Sequence, residues 1–197
     1  MKPLEFWYSI GSTYSYLTIM RIGKLAEQAG VTLDWRPFSV REIMVEMDNV
    51  PFAKKPIKAA YMWRDIERRA AGFNVPVKVP APYPLTDFDR ANRIAILARQ
   101  EGWCDRYTLE SYKRWFQQGI PAGSDACLAE VLPLLGQDVA RILDAQATDD
   151  IGRAYSEATQ EARDRGIFGA PSFVAGDSEL FWGDDRLEEA LAWHTRA

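Results

Sequence analysis

The chain has 197 residues, enough for one domain or for one domain carrying a large insertion. Apolar residues make up 47%, sufficient for a packed core, and the net charge of −4 argues against non-specific binding to nucleic acid, which needs a basic face. Cys104 and Cys127 do not form a C-x-x-C and read as plain buried thiols, and with a single histidine beside them a zinc site has almost no ligands to draw on.

The start does not read as a signal peptide. Glu5 interrupts the apolar stretch, and Gly11, Ser12, Thr13 and Ser15 make it too polar. No apolar run approaches the roughly 18 residues of a membrane helix. A soluble, cytoplasmic protein that binds no membrane is expected.

Residues 4–10 are aromatic and β-prone, which predicts a buried strand. Gly11-Ser12-Thr13 breaks it, and Ser12 or Thr13 can cap the next helix. From 14 to 29, Ile19, Ile22, Ala26 and Ala29 recur at helical spacing, and Gly30 stops the helix. Val31, Leu33 and Trp35 alternate with polar residues as in a half-buried strand. This β-α-β start favours a parallel strand pair.

The region 40–165 has no comparable strand pattern. Segments 55–71, 86–102, 106–118, 124–134, 137–145 and 149–165 read as helices, with prolines making 76–84 an extended connection. Ser172-Phe173-Val174-Ala175 and Glu179-Leu180-Phe181-Trp182, separated by Gly176-Asp177, predict an antiparallel hairpin. Asp184 or Asp185 can cap a last helix over 185–195. The order is that of an α/β, thioredoxin-like fold with a large inserted all-helical domain: 1–39 plus 166–197 around an insertion at 40–165.

Three segments can carry chemistry. Ser12-Thr13-Tyr14-Ser15 sits where a strand meets a helix start, where free N–H groups and the helix dipole favour an anion. Redox thioredoxins place C-x-x-C there. An S-x-x-S cannot exchange disulfides, but its hydroxyl can donate a hydrogen bond to another molecule's sulfur. Taken alone, Ser12 reads first as a cap. Gly169-Ala170-Pro171-Ser172 places a proline before a strand, either a cis-proline or a trans strand-starter. A cis bond would turn the Ala170 backbone groups toward an extended ligand. Phe181 to Arg186 is another strand-to-helix turn, whose two acids are ordinary caps or a site for the charged end of an amino acid.

Together and in this order, these pieces resemble the 2-hydroxychromene-2-carboxylate isomerases and kappa-class glutathione transferases of the DsbA-like thioredoxin superfamily. The family's S-P-x-S-Y-L stands here as Ser12 to Leu17, its G-A-P-[ST]-F as Gly169 to Phe173, and its F-W-G-x-D-R-L as Phe181 to Leu187. Ala60 to Arg68 looks like the family's Y-M-x-R-D-[IL]-E-R helix. The resemblance implies glutathione as cofactor, with Ser12 the catalytic serine at its sulfur. Ala170 and Pro171 would meet the cysteinyl unit, Asp184 and Asp185 the γ-glutamyl end, and Asn49 a loop over the site. Tyr83 matches an aromatic that approaches the substrate. The implied substrate is an aromatic carboxylate, and the implied assembly a homodimer.

Thr13 replaces the usual proline after the serine, Thr86 replaces an asparagine, and Arg41 lies where many members have a small or apolar residue. Arg41, Lys54, Lys55 and Lys58 are candidates for the substrate carboxylate; a solvated helix face is the simpler reading of each of them. His194, near the end, reads as an exposed tail residue, which disfavours a Ser-His-Asp hydrolase. The competing readings are a transferase that keeps its conjugate and a thioredoxin-fold binding module without turnover.

Overall fold

The computed structural model describes residues 2–49, 52 and 55–196. Lys54, one of the candidate cations, lies outside the described residues. β1 (Leu4–Tyr8) is buried at every position but Glu5, which is why its apolar residues run on instead of alternating. Gly30, at φ 66°, closes α1 (Ser15–Ala29) and returns the chain to β2 (Leu33–Pro37). β2 pairs parallel to β1, with Leu4 opposite Leu33 and Tyr8 opposite Pro37. β3 (Ser172–Val174) lies antiparallel on the other side of β1, and β4 (Leu180–Trp182) closes the hairpin expected at 172–182. The sheet order is β2-β1-β3-β4. Phe6 stacks with Tyr8 and Phe173 at 5.2 and 5.6 Å and meets Trp35 edge-on at 5.0 Å, so aromatic packing ties three strands together.

Between β2 and β3 run α2 (Val40–Glu46), α3 (Pro56–Gly72), α4 (Phe88–Glu101), α5 (Cys104–Lys113), α6 (Asp125–Leu134), α7 (Val139–Gln146) and α8 (Asp149–Asp164). α5 continues into a π-helical turn at Arg114–Gln118. That turn holds the extended segment 76–84. The Lys78 N–H donates to Phe116 O at 2.6 Å, Trp115 Nε1 donates to Pro82 O at 2.6 Å, and the Tyr16 hydroxyl donates to Pro76 O. After β4, a short helical turn (Asp184–Arg186) leads into α9 (Leu187–His194). No helix among the described residues is long and apolar enough to cross a membrane.

Four expectations need correction. α2 is absent from the sequence reading because seven residues are too few for periodicity. Its signal is the N-cap serine Ser39, whose Oγ accepts from the Glu42 N–H at 3.4 Å while its own N–H donates to Thr159 Oγ1 at 3.0 Å. Neither Ser12 nor Thr13 caps α1. Tyr14 precedes that helix and no side chain caps it, because both hydroxyls are engaged elsewhere. Neither Asp184 nor Asp185 caps α9, whose preceding residue is Arg186. His194 is not an exposed tail residue but 1% exposed. The Gly176 N–H donates to its Nδ1 at 3.1 Å, and Nε2 lies 2.9 Å from Lys2 O. Those two bonds fix the tautomer with the proton on Nε2 and pin α9 to the hairpin turn and the chain start.

Asn92 on α4 holds the end of β1. Its Oδ1 accepts from the Ile10 N–H at 2.8 Å, and its Nδ2 donates to the Ile10 and Phe88 carbonyls at 2.9 Å each. All of this is buried, so an apolar replacement strands both Ile10 backbone groups at about 1–3 kcal/mol apiece. Asn92→Leu should therefore lower unfolding stability by about 3 kcal/mol, read as a shift of the urea midpoint at unchanged slope. An unmoved midpoint would refute this role.

Candidate active site

The loop Ser9–Ser12 carries the first site residue. The Ser12 N–H donates to Ser9 O at 3.0 Å, closing a tight turn. Gly11 passes with φ 129° directly over Phe88; a Cβ there would lie 2.4 Å from that ring, so only glycine fits. The Tyr112 hydroxyl lies 3.0 Å from both the Ser9 and the Ser12 carbonyls, donating from below. Burial pushes its pKa well up, so it remains a donor at every working pH. Tyr112 and Asn92 were missed because nothing in local spacing links them to a loop some hundred positions away.

The Ser12 hydroxyl donates to Ala170 O at 2.8 Å. The Ala170–Pro171 bond is cis, as are Val79–Pro80 and Tyr83–Pro84. Pro171 O accepts from the Gly183 N–H at 2.9 Å, which joins this segment to the turn at Asp184–Arg186. Thus the three segments singled out in the sequence, at 12, 170–171 and 183–185, meet in one place. Ser12 and Ala170 are both partly exposed, so a ligand can reach them. α1 carries no acid in its first turn, so nothing there offsets the positive end of its dipole.

The two acids diverge. The Asp185 side chain faces solvent, 3.5 Å from Arg186 Nη2. The Asp184 carboxylate turns inward and is 0% exposed. Its Oδ1 accepts from Thr18 Oγ1 at 2.8 Å and Arg21 Nη2 at 2.9 Å, and its Oδ2 from Arg69 Nη2 at 2.5 Å. Any part Asp184 takes in ligand binding thus runs through its backbone and not its side chain. Asn49 is exposed, with its N–H on Met44 O at 2.8 Å, and no described contact brings it to Ser12.

An aromatic wall stands beside the site. The Thr13 hydroxyl donates to Met62 Sδ at 3.0 Å, which places α3 over the loop. Trp63, next on α3, meets Tyr83 at 6.1 Å, and Tyr83 meets Phe52 at 6.3 Å. Arg41 stacks over Phe88, the ring beneath Gly11. Lys58 lies 5.9 Å from the Phe52 ring; Lys55 is exposed.

The nearby phenols stay protonated near neutrality. Tyr14 donates to Asp65 Oδ2 at 3.0 Å, and burial with that carboxylate raises its pKa. Tyr83 is likewise raised by burial. Both cysteines are buried and free, as expected. Burial pushes the Cys104 thiol up to about 12 and raises Cys127 too, so neither supplies a thiolate near neutrality.

A thioredoxin fold with hydroxyls where dithiol members carry cysteines, facing a cis-proline, defines the class. The chain belongs to the DSBA-like thioredoxin domain family, whose model matches residues 3–192. It is 28% identical over 189 residues to a 2-hydroxychromene-2-carboxylate isomerase of Sphingobium xenophagum, covering 95% of each chain. It is 22% identical over 199 residues to human glutathione S-transferase kappa 1, covering 95% of this chain and 88% of that one. A solved 2-hydroxychromene-2-carboxylate isomerase superposes with a TM-score of 0.87 at 25% identity, over 99% of this chain and 95% of that one.

Proposed function

We propose that this chain is a cytoplasmic, homodimeric, glutathione-dependent isomerase acting on 2-hydroxychromene-2-carboxylate or a related aromatic enone. The observation that carries this reading is the Ser12 hydroxyl at 2.8 Å from Ala170 O, beside a cis-proline. A ligand cysteine laid along Ala170 puts its sulfur against that hydroxyl and the start of α1. Asp185, free toward solvent, accepts the γ-glutamyl ammonium.

A free thiol has a pKa of about 8.5 and is mostly protonated at neutral pH. To serve the sulfur, the Ser12 hydroxyl turns from a neutral carbonyl to an anion, a stronger acceptor. That bond, made to a charged group, stabilises the thiolate by about 1.5–3 kcal/mol and the helix N-terminus by about 0.3–1 kcal/mol, together roughly one to three pKa units. The thiolate adds to the conjugated carbon of the substrate, and the electron pair of the double bond moves onto the carbonyl oxygen. The bond, now single, rotates. The pair then returns, the carbon–sulfur bond breaks, and glutathione is regenerated. Ser12 polarises sulfur and never attacks carbon. Tyr83 and Trp63 flank the aromatic part of the substrate.

The kappa-class relatives favour a second reading, in which the conjugate is kept and released. Turnover of 2-hydroxychromene-2-carboxylate followed by absorbance, with glutathione far below substrate, separates the two. Complete conversion with glutathione recovered supports the isomerase. Conversion that stops when glutathione is spent supports the transferase. Binding of glutathione without either reaction leaves a binding module.

A further inference from the structure

Resting on the reading above, we infer that Arg41 selects the substrate, taking its carboxylate and making the site specific for aromatic acids over their neutral analogues. The guanidinium is fixed before any ligand arrives. It stacks on the Phe88 ring at 4.0 Å, and Nη2 donates to Leu85 O at 3.2 Å. Phe88 packs under Gly11, so Arg41 stands one aromatic ring away from the Ser12 loop. Its charge is also felt by Tyr83, on the aromatic wall where the ring of a substrate would lie.

Most arginines of this chain are neutralised by acids, but among the described residues Arg41 forms no ion pair. Glu42, Glu46 and Asp89 line the groove that Arg41 borders, none within salt-bridge distance of it, and Arg163 holds Glu42 and Glu46. A stacked guanidinium with one N–H on a backbone carbonyl keeps donors free for a planar, two-point match to a carboxylate. Holding the cation in advance lowers the ordering cost on binding, which flexible Lys55 and Lys58 would incur.

The test is calorimetric binding of aryl carboxylates and of their matching amides to the intact protein saturated with glutathione. The wild type should prefer the acid by at least roughly tenfold. Arg41→Met should remove that preference while leaving amide and glutathione affinities in place, and Arg41→Lys should restore part of it. An Arg41→Met protein that still prefers the acid overturns the inference. So does equal loss of acid and amide binding, which marks a structural role, or a wild type without any preference. Failure of the isomerase reading shows separately, as absent turnover with the acid preference intact.

Discussion

Ser12→Ala should lower glutathione-dependent activity at neutral pH by roughly 10–100-fold, with the thiol pKa of bound glutathione raised by about one to two units. The figure follows from the bond lost: a hydrogen bond to a charged group is worth about 1.5–3 kcal/mol, and each 1.36 kcal/mol is one unit. Ultraviolet absorbance of the bound thiolate across a pH series reads the pKa directly. The sign fixes a second signature. Ser12 stabilises the charged form, so its contribution matters below the raised pKa and fades above it, where the thiol ionises unaided. The wild-type-to-variant activity ratio should therefore shrink as pH rises. A ratio that is flat with pH would mean that Ser12 orients the ligand without ionising it; an unchanged activity would remove it from the mechanism. Folding should be little disturbed, because the lost partner, Ala170 O, is partly exposed and water can replace the hydroxyl.

How far the site was legible in the sequence depends on how far apart its parts lie. The S-x-x-S at a strand-to-helix junction, the proline before β3 and the double acid after β4 are local patterns, and the order of elements brings them together. Sequence spacing misses what is held from below. Tyr112 supports the Ser12 loop, and Asn92 acts as a surrogate strand for Ile10, yet each sits on a helix face that reads only as core. The same blindness misplaced His194. A histidine near a chain end looks exposed until α9 folds back and offers its ring to Gly176 and Lys2. Asp184 and Asp185 are adjacent and chemically alike, so the sequence treats them as a pair. They separate because Arg21 and Arg69, from α1 and α3, converge on only one of them.

That convergence sets a stability effect as large as any other expected in this chain. Asp184→Asn should reduce unfolding stability by about 3 kcal/mol, because it leaves two guanidiniums facing each other at a buried site with no anion between them. For a domain of this size the melting temperature should fall by about 6–12 °C. The arginine side chains are only 10% and 26% exposed, so solvent screens the repulsion weakly and added salt should recover little of the loss. Arg21 retains Glu188, which keeps the loss at the low end of what breaking a buried pair costs. Combining Asp184→Asn with Arg69→Met should cost less than the sum of the two, with a coupling above about 1 kcal/mol, since Arg69 is the cation without another acidic partner in the cluster. A replacement of all three by apolar residues of like size should regain much of the stability, as a charged cluster is rarely better than a packed one. It should not regain glutathione affinity. The Asp184 anchor fixes the turn that begins at Gly183, and Gly183 is bonded to Pro171 beside Ser12. A stable triple variant with KM for glutathione raised and kcat nearly unchanged would show that the ion cluster positions the turn for its ligand. A triple variant with wild-type KM would reduce the cluster to a means of docking α3.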